Sequence, residues 1–240
     1  SNTHAVAKSR SADGITRLNI NSHQPYEGPV AWYEAHLVSE EGWNMVGGTF
    51  PGAPFILHGH NQFLGWAHTV NHPDAIDVFK LEMAPDGELK YRLDGEWKEL
   101  EVRKISLKFD VGLLTVPIPR EFYFSVHGPV LKIEEDYFAI RYVGDGRMGL
   151  SAETWYRMNK ATSIGEWKDA MSLQGIPMMN TMYADKDNIL YVYNHLLPVR
   201  KEGVNWHEIL PGNDSSLIWK DYLTFSELPQ AENPDSGYLI

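Results

Sequence analysis

Apolar and polar residues alternate in short runs along most of this chain. GITRLNINS and AWYEAHLVS set Ile, Leu, Trp and Tyr among polar neighbours and are bounded by Gly, Pro and Ser, the pattern of β-strands. WNMVGGTF, FLGWAHTV and IDVFKLEM come next at close spacing. LKYRLDGEWKEL carries Asp94-Gly95 between two such runs, and Asp-Gly suits the positive backbone angles of a two-residue hairpin turn. EVRKISLKFDV, REFYFSVHGPVLKI and YFAIRYV extend the series, so the pattern predicts large, stacked antiparallel sheets.

One helix stands out against the strands. Ser163 and Glu166 form a capping-box pattern ahead of WKDAMSLQ, with Gly175 and Pro177 as stop signals. TMYADKDNILYVYN reads as two strands around an Asp-Lys-Asp-Asn turn. The tail SELPQAENPDSGYLI reads as loop, with Tyr238-Leu239-Ile240 an apolar run cut off in mid-element. No repeat, low-complexity tract or linker divides the chain, which reads as a single segment over residues 1–240.

Composition narrows the function. Hydrophobic residues make up 43% and charged residues 22%, as in a globular protein, and 8 Trp, 12 Tyr and 9 Phe supply an aromatic core or cleft. The apolar runs fall far short of the roughly 20 residues that span a bilayer. The net charge is −11 and basic residues form no stripe, which argues against nucleic-acid binding. Cys is absent, which excludes disulfides, thiolate nucleophiles and cysteine zinc sites and suits an oxidising compartment, periplasmic or secreted.

The chain starts on serine, not methionine, so Ser1 reads as exposed by cutting: loss of a signal peptide, a tag remnant, or self-cleavage of a precursor. A serine hydroxyl attacks only when a base takes its proton. At the first position the free α-amine, with a pKa of roughly 7.7–8.0, supplies that base. A Ser-His-Asp triad is compositionally open, but no G-x-S-x-G elbow occurs. His58, His60, His68 and His72 crowd HGHNQFLGWAHTVNH, and a zinc hydrolase on His58, His60 and His68 is one alternative. Asp74 and Asp77 flank Ile76 and could offer oxygens to a hard cation or simply hold a turn. VGGTFPGAPF and HGHNQFLGW lack a phosphate-loop ending and read as tight turns.

Taken together, SNTHAVAKSRSADG, NSHQPYEGPVAWYEAHL, GGTFPGAPFILHGHNQFLGWAHTVN, DAIDVF, MYADKDNILYVYNHLLPVR and NPDSGY resemble the start of the β-chain of penicillin acylases. In wording they are nearer to the acyl-homoserine-lactone and aliphatic acylases than to the phenylacetyl type. The resemblance implies an α+β, four-layer αββα N-terminal-nucleophile hydrolase fold with stacked antiparallel sheets. It makes Ser1 the nucleophile, freed when a precursor cleaves itself. His23 then stands beside the nucleophile, and the Val70 N–H forms half the oxyanion hole. Gln24, His58 and His68 match the acyl pocket, with polar groups where the phenylacetyl branch has two aromatic rings and a serine. Asp74, Ile76, Asp77 and Pro198 match a calcium site that a Glu from an α-chain completes; no organic cofactor is implied.

In the family a second oxyanion donor, an asparagine, comes after the NP-x-x-GY stretch, whereas here two residues come after NPDSGY. The expectation is therefore a front segment of a longer β-chain. Its partners are an α-chain from the same precursor, the rest of the β-chain, and a small N-acyl amide, with no nucleic acid and no membrane. The competing expectation is a secreted, strand-rich binding domain in which Ser1 has no catalytic part.

Overall fold

The structure, a computed structural model, describes residues 2–240. From the amino end it forms β1 (Asn2–Val6), β2 (Arg17–Asn21), β3 (Tyr33–Ser39), β4 (Trp43–Thr49), β5 (His58–His60) and β6 (Leu64–Thr69). Next come β7 (Ile76–Leu81), β8 (Lys90–Leu93), β9 (Glu96–Glu99), β10 (Glu101–Asp110), β11 (Thr115–Ser125), β12 (Gly128–Ile133) and β13 (Asp136–Tyr142). Helices α1 (Met148–Lys160) and α2 (Ile164–Met171) precede β14 (Met178–Asp185) and β15 (Ile189–His195). Three short strands close the chain: β16 (Leu210–Pro211), β17 (Gln230–Glu232) and β18 (Tyr238–Leu239).

These elements gather into two compact units. One holds the residues up to Pro73 with 146–197 and 223–240; the other holds 74–145 and 198–222.

In the first unit a seven-stranded sheet, ordered β17-β15-β14-β6-β5-β4-β3, carries α1 and α2 on one face and a three-stranded sheet, β18-β1-β2, on the other. Side-chain size decides which face meets which layer. Every residue of β6 is buried, and the strand's period of two sorts them. Leu64 and Trp66 turn to the helices, where they meet Trp167, Met158, Met171 and Tyr183. Ala67 turns to the small sheet, where with Met182, Ala184 and Ile189 of its own sheet it packs against Ala5 of β1. Small residues let the two sheets approach, while the bulky ones fill the wider gap beneath the helices. Each fully buried large side chain contributes about 1.5–3 kcal/mol. This unit therefore supplies a helical layer and two sheets of the expected layering; a second helical layer is not among its described residues.

In the second unit a six-stranded sheet runs β10-β11-β12-β13-β7-β16, antiparallel except for the β7–β16 edge pair. The predicted Asp-Gly hairpin is the β8–β9 pair, with Asp94 at φ 50° and Gly95 at φ 85°. The core here is Phe79, Leu81, Tyr91, Val130, Leu210 and their neighbours.

The capped helix forms as expected. The Ser163 side chain accepts from the Glu166 N–H, although the Glu166 carboxylate reaches back to Thr162. It ends at Met171, before Gly175, with Gln174 in the left-handed region at φ 51°. Helix α1 was not expected. Nothing caps its start through a side chain, no acid stands in its first turn, and its buried residues are Thr154, Met158 and Asn159. Two of these three are polar, so the burial leaves no apolar stripe to read. The tail, expected as loop, contributes strands to both sheets of the first unit: β17 pairs with β15 and β18 with β1. The Tyr238-Leu239 run is an edge strand.

Candidate active site

The candidate nucleophile, Ser1, lies outside the described residues. The strand that begins at Asn2 is firmly held. β1 is the middle strand of its sheet, Asn2 stands opposite Asn21, and the Thr3 hydroxyl donates to the Asn19 carbonyl at 2.8 Å. A cavity of about 180 Å3 opens beside this strand end, lined by Asn2, Thr3, Thr69, Asn180, Tyr191 and Ile240 among others. Val70, the candidate oxyanion donor, follows Thr69 in the chain and is exposed. The Asn180 amide donates to the Thr69 hydroxyl at 3.2 Å and to the Val70 carbonyl at 3.4 Å, and Tyr191 donates its hydroxyl to the same amide at 2.9 Å. Asn180 thus holds the backbone at Val70 from the neighbouring strand β14. His23 comes after β2 at the Asn2 end of the sheet, exposed and with φ 53°, where the left-handed turn redirects the chain after Asn21.

His58 and His68 come together, their ring centroids 5.4 Å apart. The His68 N–H donates to His58 Nδ1 at 2.8 Å, so the His58 proton sits on Nε2. Trp155 donates its indole N–H to His68 Nε2 at 3.2 Å, so the His68 proton sits on Nδ1 and points at the Thr181 hydroxyl, 2.9 Å away. Desolvation lowers the His58 pKa to about 4 and pushes His68 well below its ordinary value, with the neighbouring His58 adding to that. Both rings are neutral donors and acceptors near pH 7. His58 packs edge-on against Trp32, which stacks on Phe50 and donates to the Ser22 hydroxyl. Gln24, half-buried, is two residues beyond that serine. His58 also lines a larger cavity of about 770 Å3 together with Ile20, Trp32, Phe63 and Lys186. His60 is exposed, and among the described residues no three His, Asp or Glu side chains converge on a metal-sized site.

The buried histidines make stability depend on pH. In the unfolded chain both titrate near pH 6.5, whereas in the folded state His58 stays neutral down to about pH 4 and His68 is held well below its ordinary value. Between those values the unfolded state binds more protons, so stability falls as the pH drops through that window. For His58 the full effect is about 3 kcal/mol. Thermal melts from pH 7 to pH 4 are expected to show a declining midpoint, and His58→Gln is expected to flatten the decline. An unchanged slope in the variant would remove His58 from the account.

In the second unit Asp74 and Asp77 share one partner, Arg200. Asp77 is buried and Asp74 partly exposed; Ile76 sits between them in β7, opposite Tyr142, and Pro198 bridges to Tyr222. Burial raises the Asp77 carboxyl pKa, opposed by bonds from Trp219 and Arg200. Arg200, Asn180, Thr181 and Trp155 escaped the sequence reading. Arg200 alone left a signal: a cation two residues after Pro198, closing the NHLLPVR stretch.

The chain resembles known acylases over its full length. It is 32% identical to the acyl-homoserine lactone acylase PvdQ of Pseudomonas fluorescens over 208 residues, 82% of this chain and 27% of that protein. It is 27% identical to the penicillin G acylase of Escherichia coli, over all of this chain and 28% of that protein. Its fold matches a solved thermostable penicillin G acylase from Alcaligenes faecalis with a TM-score of 0.89, at 26% identity, over 100% of this chain and 43% of that one. The chain thus spans about a quarter of the length of these curated relatives, and its strand-rich layers are those of an N-terminal-nucleophile hydrolase. The family model described as penicillin amidase matches residues 1–240, and this chain belongs to the penicillin amidase family.

Proposed function

We propose that this chain is the front part of the catalytic β-chain of an N-acyl amide hydrolase acting through Ser1. The observation that carries the reading is the family match over residues 1–240. Ser1 Oγ attacks the amide carbonyl while the Ser1 α-amine takes the hydroxyl proton and hands it to the leaving amine as the C–N bond breaks. The Val70 N–H donates to the oxyanion, a role typically worth about 3–4 kcal/mol. Water then attacks the acyl-enzyme and releases the acid, restoring Ser1. His23 steadies the nucleophile's surroundings. No organic cofactor takes part.

The remaining machinery comes from an α-chain of the same precursor and from the rest of the β-chain, including the second oxyanion donor, and the mature protein is periplasmic or secreted. The substrate class is N-acyl amides in which the acyl chain lies against polar, neutral histidines. His58 lines the larger cavity and His68 packs behind it, and together with Gln24 they set polar groups where the resemblance places the acyl pocket, a rim that does not favour a bare phenyl group. The names of the relatives, acyl-homoserine lactone acylase and penicillin G acylase, agree with acyl transfer at an amide.

The test uses the whole processed protein. A sulfonyl fluoride is expected to modify Ser1, mapped by mass spectrometry, and to abolish hydrolysis. A panel of N-acyl-homoserine lactones is expected to give higher kcat/KM than penicillin G. An unmodified Ser1 with activity intact would remove it from the mechanism.

A further inference from the structure

The pair Asp74 and Asp77 already holds a cation of the chain's own. Arg200 donates Nε to Asp77 Oδ2 at 3.1 Å, Nη2 to Asp77 Oδ1 at 3.1 Å, Nη1 to Asp74 Oδ2 at 2.6 Å and Nη2 to the Asp74 carbonyl at 3.2 Å. The Trp219 indole N–H adds a bond to Asp77 Oδ2 at 2.6 Å. Every oxygen of the buried Asp77 carboxylate therefore has a donor, and so has one carboxylate oxygen of Asp74. The guanidinium is itself mostly buried and lies over the Trp206 ring, 5.4 Å from its centroid. A planar fork of five N–H donors suits two carboxylates and a carbonyl that converge from one side.

A calcium ion does not fit this arrangement. It needs six to eight oxygens at about 2.3–2.6 Å. Here both Asp77 carboxylate oxygens, one of Asp74 and the Asp74 carbonyl already accept from nitrogen donors, and no third His, Asp or Glu joins them among the described residues. To admit the ion, Arg200 would have to surrender four hydrogen bonds and leave its stacked position, or sit as a second positive charge against it. We propose that Arg200 is the internal cation of this site. Its guanidinium ties the start of β7 to the segment after Pro198, and the chain takes up no calcium there. The fold at this site is then independent of chelators and of free calcium. The proposal concerns the second unit alone and does not depend on Ser1 chemistry.

The experiment uses the whole processed protein and reads stability and metal content, not activity. After dialysis against calcium chloride and gel filtration, elemental analysis of the wild type is expected to find calcium well below one per molecule. The thermal midpoint is expected to be the same in EDTA and in millimolar calcium. Arg200→Gln, which leaves a buried carboxylate without its partner, is expected to lower the midpoint by roughly 5 °C or more. Adding Asp77→Asn to Arg200→Gln is expected to cost little further, since the charge left stranded is then removed. One calcium per molecule with a midpoint that falls in EDTA would overturn the proposal. So would an Arg200→Gln protein as stable as the wild type, or a double variant whose losses simply add. If Arg200→Gln fails to fold, the calcium content and chelator response of the wild type decide the matter.

Discussion

Ser1→Ala in the whole precursor is expected to abolish amide hydrolysis, lowering kcat by roughly 10³-fold or more, and to leave the precursor uncleaved. The reason is chemical. The proposed mechanism makes one oxygen the attacking atom in both precursor cleavage and substrate turnover, and a methyl group offers no lone pair. The change removes a single atom, and the core that β1 makes, where Ala5 is fully buried with Ala67 and Met182, is untouched. Ser1→Cys separates chemistry from folding, because a thiol attacks without needing as strong a base. It is expected to cleave its precursor and retain weak turnover. Precursor cleavage and hydrolysis are read on gels and with an N-acyl-homoserine lactone. Full activity in Ser1→Ala would sink the proposed mechanism.

Gly47→Ala is expected to be the most damaging single-methyl addition in the first unit. Gly47 and Gly59 stand opposite each other where β4 meets β5. A Cβ on Gly47 would lie 2.0 Å from the His58 carbonyl oxygen and 2.6 Å from the Gly59 Cα. Both are backbone atoms and neither can swing aside. The φ of 155° adds strain for any L side chain. The strands must separate, and with them goes the position of His58 between Trp32 and His68. The expected loss is more than about 4 kcal/mol, read as insoluble expression or collapse of the denaturation midpoint. Gly149→Ala is the contrast. That glycine lies in α1 with nothing within 4 Å of the added methyl, so the variant is expected to gain about 0.5–1 kcal/mol. Equal effects at the two positions would contradict the close approach of β4 and β5.

Strong local signals carried through from sequence to structure. Asp94-Gly95 turns where Asp-Gly should, because its positive φ angles need no tertiary help. Ser163 caps α2, because the bond to the Glu166 N–H spans three residues of one chain segment. Elements whose signal is a distant neighbour did not. Helix α1 buries Asn159, whose amide donates to the Ile56 carbonyl and accepts from the Ile56 N–H. A side chain that serves the loop before β5, 103 residues away, leaves no periodic mark in its own helix. Strands β17 and β18 are two or three residues long, and only β15 and β1 make them strands.

The candidate site divides in the same way. The residues that match a family motif, Ser1, His23, Val70, His58, His68, Asp74 and Asp77, were legible because they sit in contiguous strings such as NSHQP and AHTVN. The residues that position them were not. Asn180 reaches Val70 across 110 residues, Trp155 fixes the His68 tautomer across 87, and Arg200 meets Asp74 across 126.

By itself the sequence determined the strand-rich class, the one well-capped helix and the hairpin turn, since each depends on propensity or period within a short window, while its motifs named candidate residues for acyl transfer through a family resemblance. Only the tertiary structure decided that bulky residues of β6 face helices and small ones a second sheet, that His58 and His68 stay neutral, and that the aspartate pair is matched by an arginine. Those outcomes depend on burial and on hydrogen-bond geometry, which exist only once distant segments share the same space.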